Sequence, residues 1–272
     1  MSSKKRIYFC RMQKLIPYKN IQIAYTAQGK GEAIVLLHGF LENSSMWDAV
    51  ITELVKTHQV ICVDLLGHGN TQRLGYIHTM QEMAQTVKQV LDHLKIEEAS
   101  FIGHSMGGYV TLAFAELFPL RIKKMLLLNS TPLADSSERI ANRNRAIRLV
   151  KQNKDAFVSM AITNLFGKES REHLREKIDA LIKEAQQLPT ENIVAAMEGL
   201  KSRKDRTAIL KNFTGEKIFL AGEEDEIVPL SSVEKIAQET LTELKIFKGG
   251  HMTHLEAKEE LFRFFDNSIK NR

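Results

Sequence analysis

Short apolar runs recur along the chain at the length of a buried β-strand. They cover residues 33–38, 59–64, 99–104, 123–129, 217–222 and 243–247. Between them, apolar residues return every three or four positions, as Met83, Val87, Val90 and Leu94 do, which is the spacing of an amphipathic helix. Apolar strands that alternate with such helices predict an α/β fold, with a mostly parallel central sheet and helices on both faces.

The first part of the chain has a different pattern. The runs QKLIPYK and IQIAYT meet at Lys19-Asn20, which predicts a β-hairpin. Residues 1–11 precede every regular pattern, so we expect a disordered extension there, with Met1 or Met12 as the first residue. The apolar run of this basic segment is shorter than the roughly 7–15 residues of a signal peptide. We therefore expect a cytoplasmic protein.

Residues 133–212 contain no convincing strand. Leu174, Ile178, Leu181, Ala185 and Leu188 mark one helix by their spacing, and Pro189-Thr190 is typical of the start of another. The simplest interpretation is a helical cap inserted between two strands of the sheet. The remaining residues, 12–132 and 213–272, then form one α/β core.

Composition excludes several classes of protein. The net charge is +5 over 272 residues, and its Lys and Arg residues are spread along the chain, so we expect no nucleic-acid partner. No stretch approaches the ~18 apolar residues of a membrane span, so we expect no membrane partner. The two cysteines, Cys10 and Cys62, form neither a disulfide framework nor a CxxC metal pair.

A candidate nucleophile lies in the segment FIGHSMGGYV. Gly103, Ser105 and Gly107 match the G-x-S-x-G motif, between a predicted strand and a predicted helix, which is the context that the motif requires. A helix N-terminus at this point favours developing negative charge. The alternative is an ordinary strand-to-helix turn with a capping serine.

A serine nucleophile needs a base, usually histidine, and a carboxylate that orients the base. Late in the chain, two strands are followed by suitable residues, in the order acid and then histidine. The candidates are Glu223, Glu224, Asp225 and Glu226 for the acid, and His251 and His254 for the base. We favour His251, because two glycines precede it. A metal site at the two histidines lacks a third ligand with matching spacing, so we expect no metal.

The residues His38-Gly39-Phe40 follow the first central strand. A hydrolytic serine needs two backbone N–H donors for the transition-state oxyanion. The expected donors are Met106, directly after the serine, and Phe40 in this loop. The alternative is a plain β-turn.

These segments together resemble the α/β-hydrolase superfamily, in the style of bacterial esterase-like serine hydrolases with a small helical cap. The landmarks are HGF, DLLGHGNT, GHSMGG, GEEDEIVP and GGHMTHLE, in the family order. The resemblance implies that Ser105 is the nucleophile, Asp225 the acid and His251 the base. It also implies that His38, Asp64, His68 and His104 shape loops. Leu66 stands where the family usually has proline.

The resemblance implies hydrolysis of a carboxylic ester or thioester through an acyl-enzyme on Ser105. Two alternatives remain open: a C–C bond hydrolase or lactonase with the same three residues, and a ligand-sensing protein of this fold. We expect a small-molecule ester substrate and no cofactor, because GKGEAIVLLHG lacks the Lys-Ser/Thr ending of a P-loop. The sequence carries no signal for the oligomeric state.

The insertion gives the main indication of substrate class. Between Asp135 and Lys211 it has sixteen Lys and Arg residues against eleven Asp and Glu. Arg143 falls within the apolar stripe of Ile140, Ile147 and Val150, where we expect it to extend its charge to water. In the alternative interpretation, it faces the cleft and binds an anionic or carrier-bound acyl group. Four further apolar residues are expected to pack the cap or line the cleft: Phe157, Met160, Leu165 and Phe166.

Overall fold

The computed structural model describes residues 13–269, so the predicted extension at residues 1–11 lies outside the described residues. Within them, eight strands form one sheet. The strands are β1 (Lys14–Tyr18), β2 (Ile21–Gln28), β3 (Ala33–Leu37), β4 (Gln59–Val63), β5 (Ala99–His104), β6 (Ile122–Leu128), β7 (Glu216–Gly222) and β8 (Glu243–Phe247). These bounds lie within two residues of the predicted runs.

The sheet order is β1-β2-β4-β3-β5-β6-β7-β8. The predicted hairpin is present, because β1 pairs with β2 in antiparallel fashion, and β2 also pairs antiparallel with β4. All other neighbours are parallel. The carboxyl ends of β3 to β8 therefore meet at one edge, where open α/β sheets gather their functional sites.

Helices connect these strands. They are α1 (Asp48–Leu54), α2 (Met80–His93), α3 (Met106–Leu117), α4 (Ser137–Gln152), α5 (Lys154–Thr163), α6 (Ser170–His173), α7 (Arg175–Ala185), α8 (Thr190–Lys201), α9 (Thr207–Asn212), α10 (Leu230–Thr240), α11 (Thr253–Glu256) and α12 (Lys258–Ile269). Helices α4 to α9 all lie between β6 and β7, in the segment predicted as a helical insertion. No helix among residues 13–269 has both the length and the apolar character that a membrane crossing requires.

Alternate residues of the strands pack on opposite faces of the sheet, as the two-residue period of a strand requires. Val35 and Leu37 of β3 belong to a cluster with residues of α2, α3 and α10. Ile34 and Leu36 pack instead with residues of α1 and α12. The predicted fold, with helices on both faces of the sheet, is confirmed.

A third apolar cluster joins the helical insertion to the sheet. It contains Ile147, Val150 and Phe157 of the insertion together with Leu41 and Met252. Leu41 follows β3 and Met252 follows β8, so both come from loops at the carboxyl ends of the strands. The insertion therefore packs over the edge where the candidate site residues lie.

Candidate active site

Ser105 occupies the sharp turn between β5 and α3. Its backbone has φ 49° and ψ −111°, a conformation that non-glycine residues rarely adopt. The glycines on either side allow close packing: a Cβ atom on Gly103 would lie 2.5 Å from the carbonyl oxygen of Gly107. The motif therefore forms a strained turn that leaves the serine hydroxyl at the carboxyl edge of the sheet.

The structure brings the predicted nucleophile, base and acid together. Nε2 of His251 lies 2.8 Å from Oγ of Ser105, and Nδ1 of His251 lies 2.7 Å from Oδ2 of Asp225. The imidazole is buried, with 2% of the residue exposed. This arrangement makes the Asp225 carboxylate the acceptor of the Nδ1 proton, which leaves Nε2 free to accept the serine proton.

Asp225 is the buried member of its acidic run, whereas Glu223, Glu224 and Glu226 are exposed. Its Oδ1 accepts hydrogen bonds of 2.8 Å from the N–H groups of Ile227 and Val228. Burial raises the pKa of this carboxyl, but the electrostatic interaction and hydrogen bond with His251, together with the hydrogen bonds from Val228 and Asn129, outweigh burial and hold the pKa below its ordinary value. Asp225 is therefore an anion at neutral pH.

His254, the competing histidine, has a different environment. Its ring faces His104 at a centroid distance of 5.4 Å and Trp47 at 6.3 Å. Burial is the main cause that lowers the pKa of His254 to about 3, and the charge of His104 is the second. A neutral ring packed in this way has a structural role.

The two predicted oxyanion donors belong to residues on the cavity wall. Phe40 and Met106 line a cavity of about 340 Å³ together with Ser105 and His251. None of the hydrogen bonds of residues 13–269 uses the backbone N–H of Phe40 or of Met106. Both N–H groups are therefore free to bind a ligand oxygen.

The charged groups on the cavity wall are cationic. Arg139 and Arg143 line it, whereas no aspartate or glutamate among the described residues does. The expectation that Arg143 extends its charge to water is wrong. Its guanidinium instead turns to the carboxylate of Asp135, which precedes α4, and its side chain is only 20% exposed.

Asp135 is shared by three arginines. Besides Arg143, it contacts Nη1 of Arg203 at 2.7 Å and Nε of Arg139 at 3.8 Å. Burial raises the pKa of Asp135, but Arg143 and Arg203 outweigh this effect and lower it. One carboxylate cannot neutralise three guanidinium groups, so this wall of the cavity carries a positive charge.

The apolar residues proposed for the insertion divide into three groups. Phe157 and Leu165 line the cavity. Phe166 is buried in the cluster beneath the insertion. Met160 is 50% exposed, so its expected role in the core or the cleft is wrong. It lies on the outer side of α5, away from the packed face.

One pair of residues near the site is not distinguished by the sequence pattern. The carboxylate of Glu42 lies 2.8 Å from Nδ1 of His104, and both side chains are almost fully buried. Of the other residues expected to shape loops, His38 accepts a hydrogen bond from the Leu65 N–H, and Asp64 accepts one from the Ser44 N–H. The available signal for Glu42 is that it is the one acidic residue in the loop at residues 38–47, between β3 and α1.

Comparisons with known proteins show the family and the fold of this chain. The model of the alpha/beta hydrolase fold family matches residues 32–258. A solved structure of a thermophilic esterase from Thermogutta terrifontis is 27% identical, with a TM-score of 0.88 over 95% of this chain and 98% of that chain. An enol-lactonase from Burkholderia xenovorans, 19% identical, has the same fold, with a TM-score of 0.87 over 95% of this chain and all of the other.

The curated relatives include several hydrolases. A 2-hydroxy-6-oxo-2,4-heptadienoate hydrolase of Pseudomonas putida is 24% identical over 89% of this chain and 90% of its own length. A 3-oxoadipate enol-lactonase of Acinetobacter baylyi is 24% identical over 88% of this chain and 89% of its own length. Uncharacterized mycobacterial proteins are 35% identical over 39% of this chain, which spans only 31% of their length.

Proposed function

This chain belongs to the alpha/beta hydrolase fold family, and we propose that it hydrolyses carboxylic esters or thioesters through an acyl-enzyme on Ser105. The observation that carries the proposal is the continuous hydrogen-bonded series from Ser105 Oγ through His251 to Asp225. It lies at the wall of a cavity with room for a small substrate. The 27% identical esterase supports the same reaction class.

In the proposed first step, Ser105 Oγ attacks the substrate carbonyl carbon while His251 Nε2 takes the hydroxyl proton. The Asp225 carboxylate accepts a hydrogen bond from Nδ1–H and so stabilises the imidazolium that forms. The negative charge that develops on the carbonyl oxygen is bound by the N–H groups of Phe40 and Met106. Each such donor typically contributes about 3–4 kcal/mol to transition-state stabilisation.

The imidazolium of His251 then returns its proton to the leaving alcohol or thiol, and an acyl-enzyme remains on Ser105. In the second step, His251 removes a proton from water, which attacks the acyl carbon. Collapse of this intermediate breaks the bond to Ser105 Oγ, which takes the proton from the His251 imidazolium, and releases the carboxylic acid. The base is restored for the next cycle.

A covalent label tests this proposal directly. A fluorophosphonate should add to Ser105 in the unmodified chain, and peptide mass spectrometry should locate the adduct there. The Ser105→Ala variant, which keeps the cavity and the imidazole, should take up no label. Labelling of the variant to the same extent would contradict the proposal.

The cavity wall supports a preference for substrates that carry a negative charge, either on a small acyl or alcohol group or on a carrier-bound acyl chain. Arg143 lines the cavity, and Asp135, its one carboxylate partner within residues 13–269, is shared with Arg139 and Arg203. The names of two relatives designate carboxylate compounds, heptadienoate and 3-oxoadipate. We therefore propose a monoester of a dicarboxylic acid as the model substrate.

Those two relatives also support a second candidate function, C–C bond hydrolysis or lactone opening with the same residues. The polar side chains Asn142 and Asn164 on the cavity wall are able to bind the additional oxygens of such substrates. A parallel screen of activated monoesters, lactones and vinylogous diketones separates the candidates. Faster turnover of the diketones than of every ester would replace the first proposal with the second.

A further inference from the structure

A buried ion pair lies directly behind the candidate site. Nδ1 of His104, the residue before Ser105, is 2.8 Å from Oε2 of Glu42. Nε2 of the same ring is 2.9 Å from the backbone carbonyl oxygen of His251. Oε2 of Glu42 also accepts a hydrogen bond of 2.6 Å from the N–H of Gly39.

The hydrogen-bond partners indicate the protonation state of His104. A carbonyl oxygen can only accept, so Nε2 must carry a proton. Oε2 of Glu42 accepts from the Gly39 N–H, as a carboxylate oxygen does. Although burial opposes its ionisation, the charge and hydrogen bond of His104 lower the pKa of Glu42 to about 2, so we place the second proton on Nδ1 and not on Glu42. A ring that donates from both nitrogens is an imidazolium, and Glu42 is its buried counter-ion.

This pair connects the three segments on which the proposed reaction depends. Glu42 binds Gly39, next to Phe40, and His104 binds the carbonyl of His251 while preceding Ser105 in the chain. A Cβ atom on Gly39 would lie only 2.5 Å from Oε2 of Glu42, so this loop packs tightly against the carboxylate. Charge-assisted hydrogen bonds of this kind are roughly twice as strong as neutral ones.

We infer that Glu42 and His104 are positioning residues: their ion pair fixes the loop that presents the Phe40 N–H and the loop that presents the His251 imidazole. This inference rests on the proposed function of those two loops. Neither residue takes part in proton transfer to the substrate. They act by holding the donor and the base at the geometry of reaction, where a displacement of 1 Å can cost about 10²-fold in rate.

Other titratable groups face His104 as well. The ring of His251 lies at a centroid distance of 5.1 Å and that of His254 at 5.4 Å. The carboxylate of Asp225 and the ring of His38 also interact electrostatically with it. The charge of Asp225 favours the protonated form of His104, so it adds to the effect of Glu42.

The test combines spectroscopy with kinetics on the full chain. In ¹⁵N-labelled protein, both imidazole nitrogens of His104 should show the shifts of protonated nitrogens at pH 8, with the assignment made from the His104→Gln variant. In Glu42→Gln, which keeps the shape of the side chain but removes its charge, one of these nitrogens should lose its proton. We expect kcat on an activated ester to fall about tenfold in Glu42→Gln and about 10²-fold in Glu42→Ala, with little change in KM.

The matched control is Glu116→Gln, which removes the partner of Arg206 (2.8 Å) at the end of α3. It should leave kcat unchanged. An unprotonated nitrogen on His104 at pH 7, or kcat values for both Glu42 variants equal to that of the control, would overturn the inference. If the unmodified chain hydrolyses no ester, the proposed function fails and the positioning role fails with it, whereas the protonation state of His104 is still measured.

Discussion

The N–H of Ser105 donates a hydrogen bond of 2.9 Å to the carbonyl oxygen of Leu128, at the carboxyl end of the neighbouring strand β6. The hydroxyl of Ser130 binds the Ser105 carbonyl oxygen from the same side, also at 2.9 Å. These two contacts hold the backbone of Ser105 at φ 49° and ψ −111°. The sheet thus stabilises a conformation that the serine would not adopt in isolation, and this strain aims the hydroxyl at His251.

The strain predicts an unusual order of stabilities at this position. Ser105→Gly should be more stable than Ser105→Ala by about 1 kcal/mol. Glycine relieves backbone strain of about 1–3 kcal/mol, which exceeds the roughly 0.4–1 kcal/mol that its greater freedom costs in the unfolded chain. Both variants lack the hydroxyl, so the difference between their urea unfolding free energies isolates the backbone effect.

Ser159, within the helix α5, provides the matched control. There the order should reverse, with Ser159→Ala more stable than Ser159→Gly, because glycine in a helix is less favourable than alanine by roughly 0.5–1 kcal/mol. If the alanine variant is the more stable one at both positions, Ser105 is not strained.

Removing either the nucleophile or the base should abolish most of the activity. We expect Ser105→Ala and His251→Ala each to lower turnover of a short activated ester by at least about 10³-fold, because the members of such a unit act together. Stopped assays at saturating substrate measure the loss. His173→Ala, an exposed histidine on α6, is the control and should retain full turnover.

Asp225→Asn should be nearly as damaging, although the side chain keeps its shape. The N–H groups of Ile227 and Val228 both bind Oδ1, so the asparagine oxygen takes that position and its NH₂ group faces His251. The NH₂ group then donates to Nδ1, so the imidazole proton lies on Nε2. A protonated Nε2 cannot accept the serine proton. We expect kcat to fall about 10⁴-fold.

The exposed neighbour Glu226 provides the comparison for this change. Glu226→Gln alters the same acidic run without touching the imidazole and should leave kcat unchanged. Equal losses in the two variants would show that the charge of the run, rather than the orientation of His251, controls the rate.

The fold could be predicted closely from sequence because buried parallel strands are continuous apolar runs. The run at 99–104 matches β5 directly, and the run at 123–129 is shifted from β6 by one residue. The insertion was harder to predict. Helix α6 has four residues and α9 has six, which is too short to show a helical period, and such helices depend on tertiary packing.

The candidate site can be predicted only in part from the sequence, because some of its contacts join distant positions. The G-x-S-x-G motif is local, whereas the contact of Glu42 with His104 joins residues 62 positions apart. The pattern of apolar and polar residues does not predict such a contact. The choice of Asp225 among four acids depends on which carboxylate the turn buries. The orientation of Arg143 depends on Asp135, a carboxylate outside its own helix.

The Glu42–His104 pair also predicts how stability depends on pH. Burial opposes ionisation of Glu42, but the charge and hydrogen bond of His104 lower its pKa from 4.5 to about 2. The contribution of the Glu42 carboxylate to the free energy of unfolding is therefore fully present above pH 4.5 and is lost as the pH falls from 4.5 towards 2. The full contribution is on the order of 3 kcal/mol.

Urea unfolding of the unmodified chain and of Glu42→Gln, measured between pH 3 and 9, checks this dependence. The difference in unfolding free energy should shrink as the pH falls below 4.5. Burial lowers the pKa of His104, but Glu42 outweighs this and raises the pKa above its usual value of 6.5. The difference should therefore shrink again as the pH rises from 6.5 towards the raised pKa, because the unfolded chain loses this proton first. A difference independent of pH would mean that the two side chains do not form an ion pair.

The positive wall of the cavity predicts selectivity for charged substrates. Arg143→Gln should lower kcat/KM about tenfold for an ester whose acyl chain ends in a carboxylate, since hydrogen bonds to charged groups contribute roughly 1.5–3 kcal/mol. The methyl-terminated ester of equal length should be hydrolysed as before, which makes it an internal control for folding.

Arg148, exposed on the same helix α4 and absent from the cavity wall, is the matched site, and Arg148→Gln should change neither rate. An equal loss on both esters in Arg143→Gln would assign this arginine to the packing of the insertion through Asp135, and the preference for anionic substrates would then have to be abandoned.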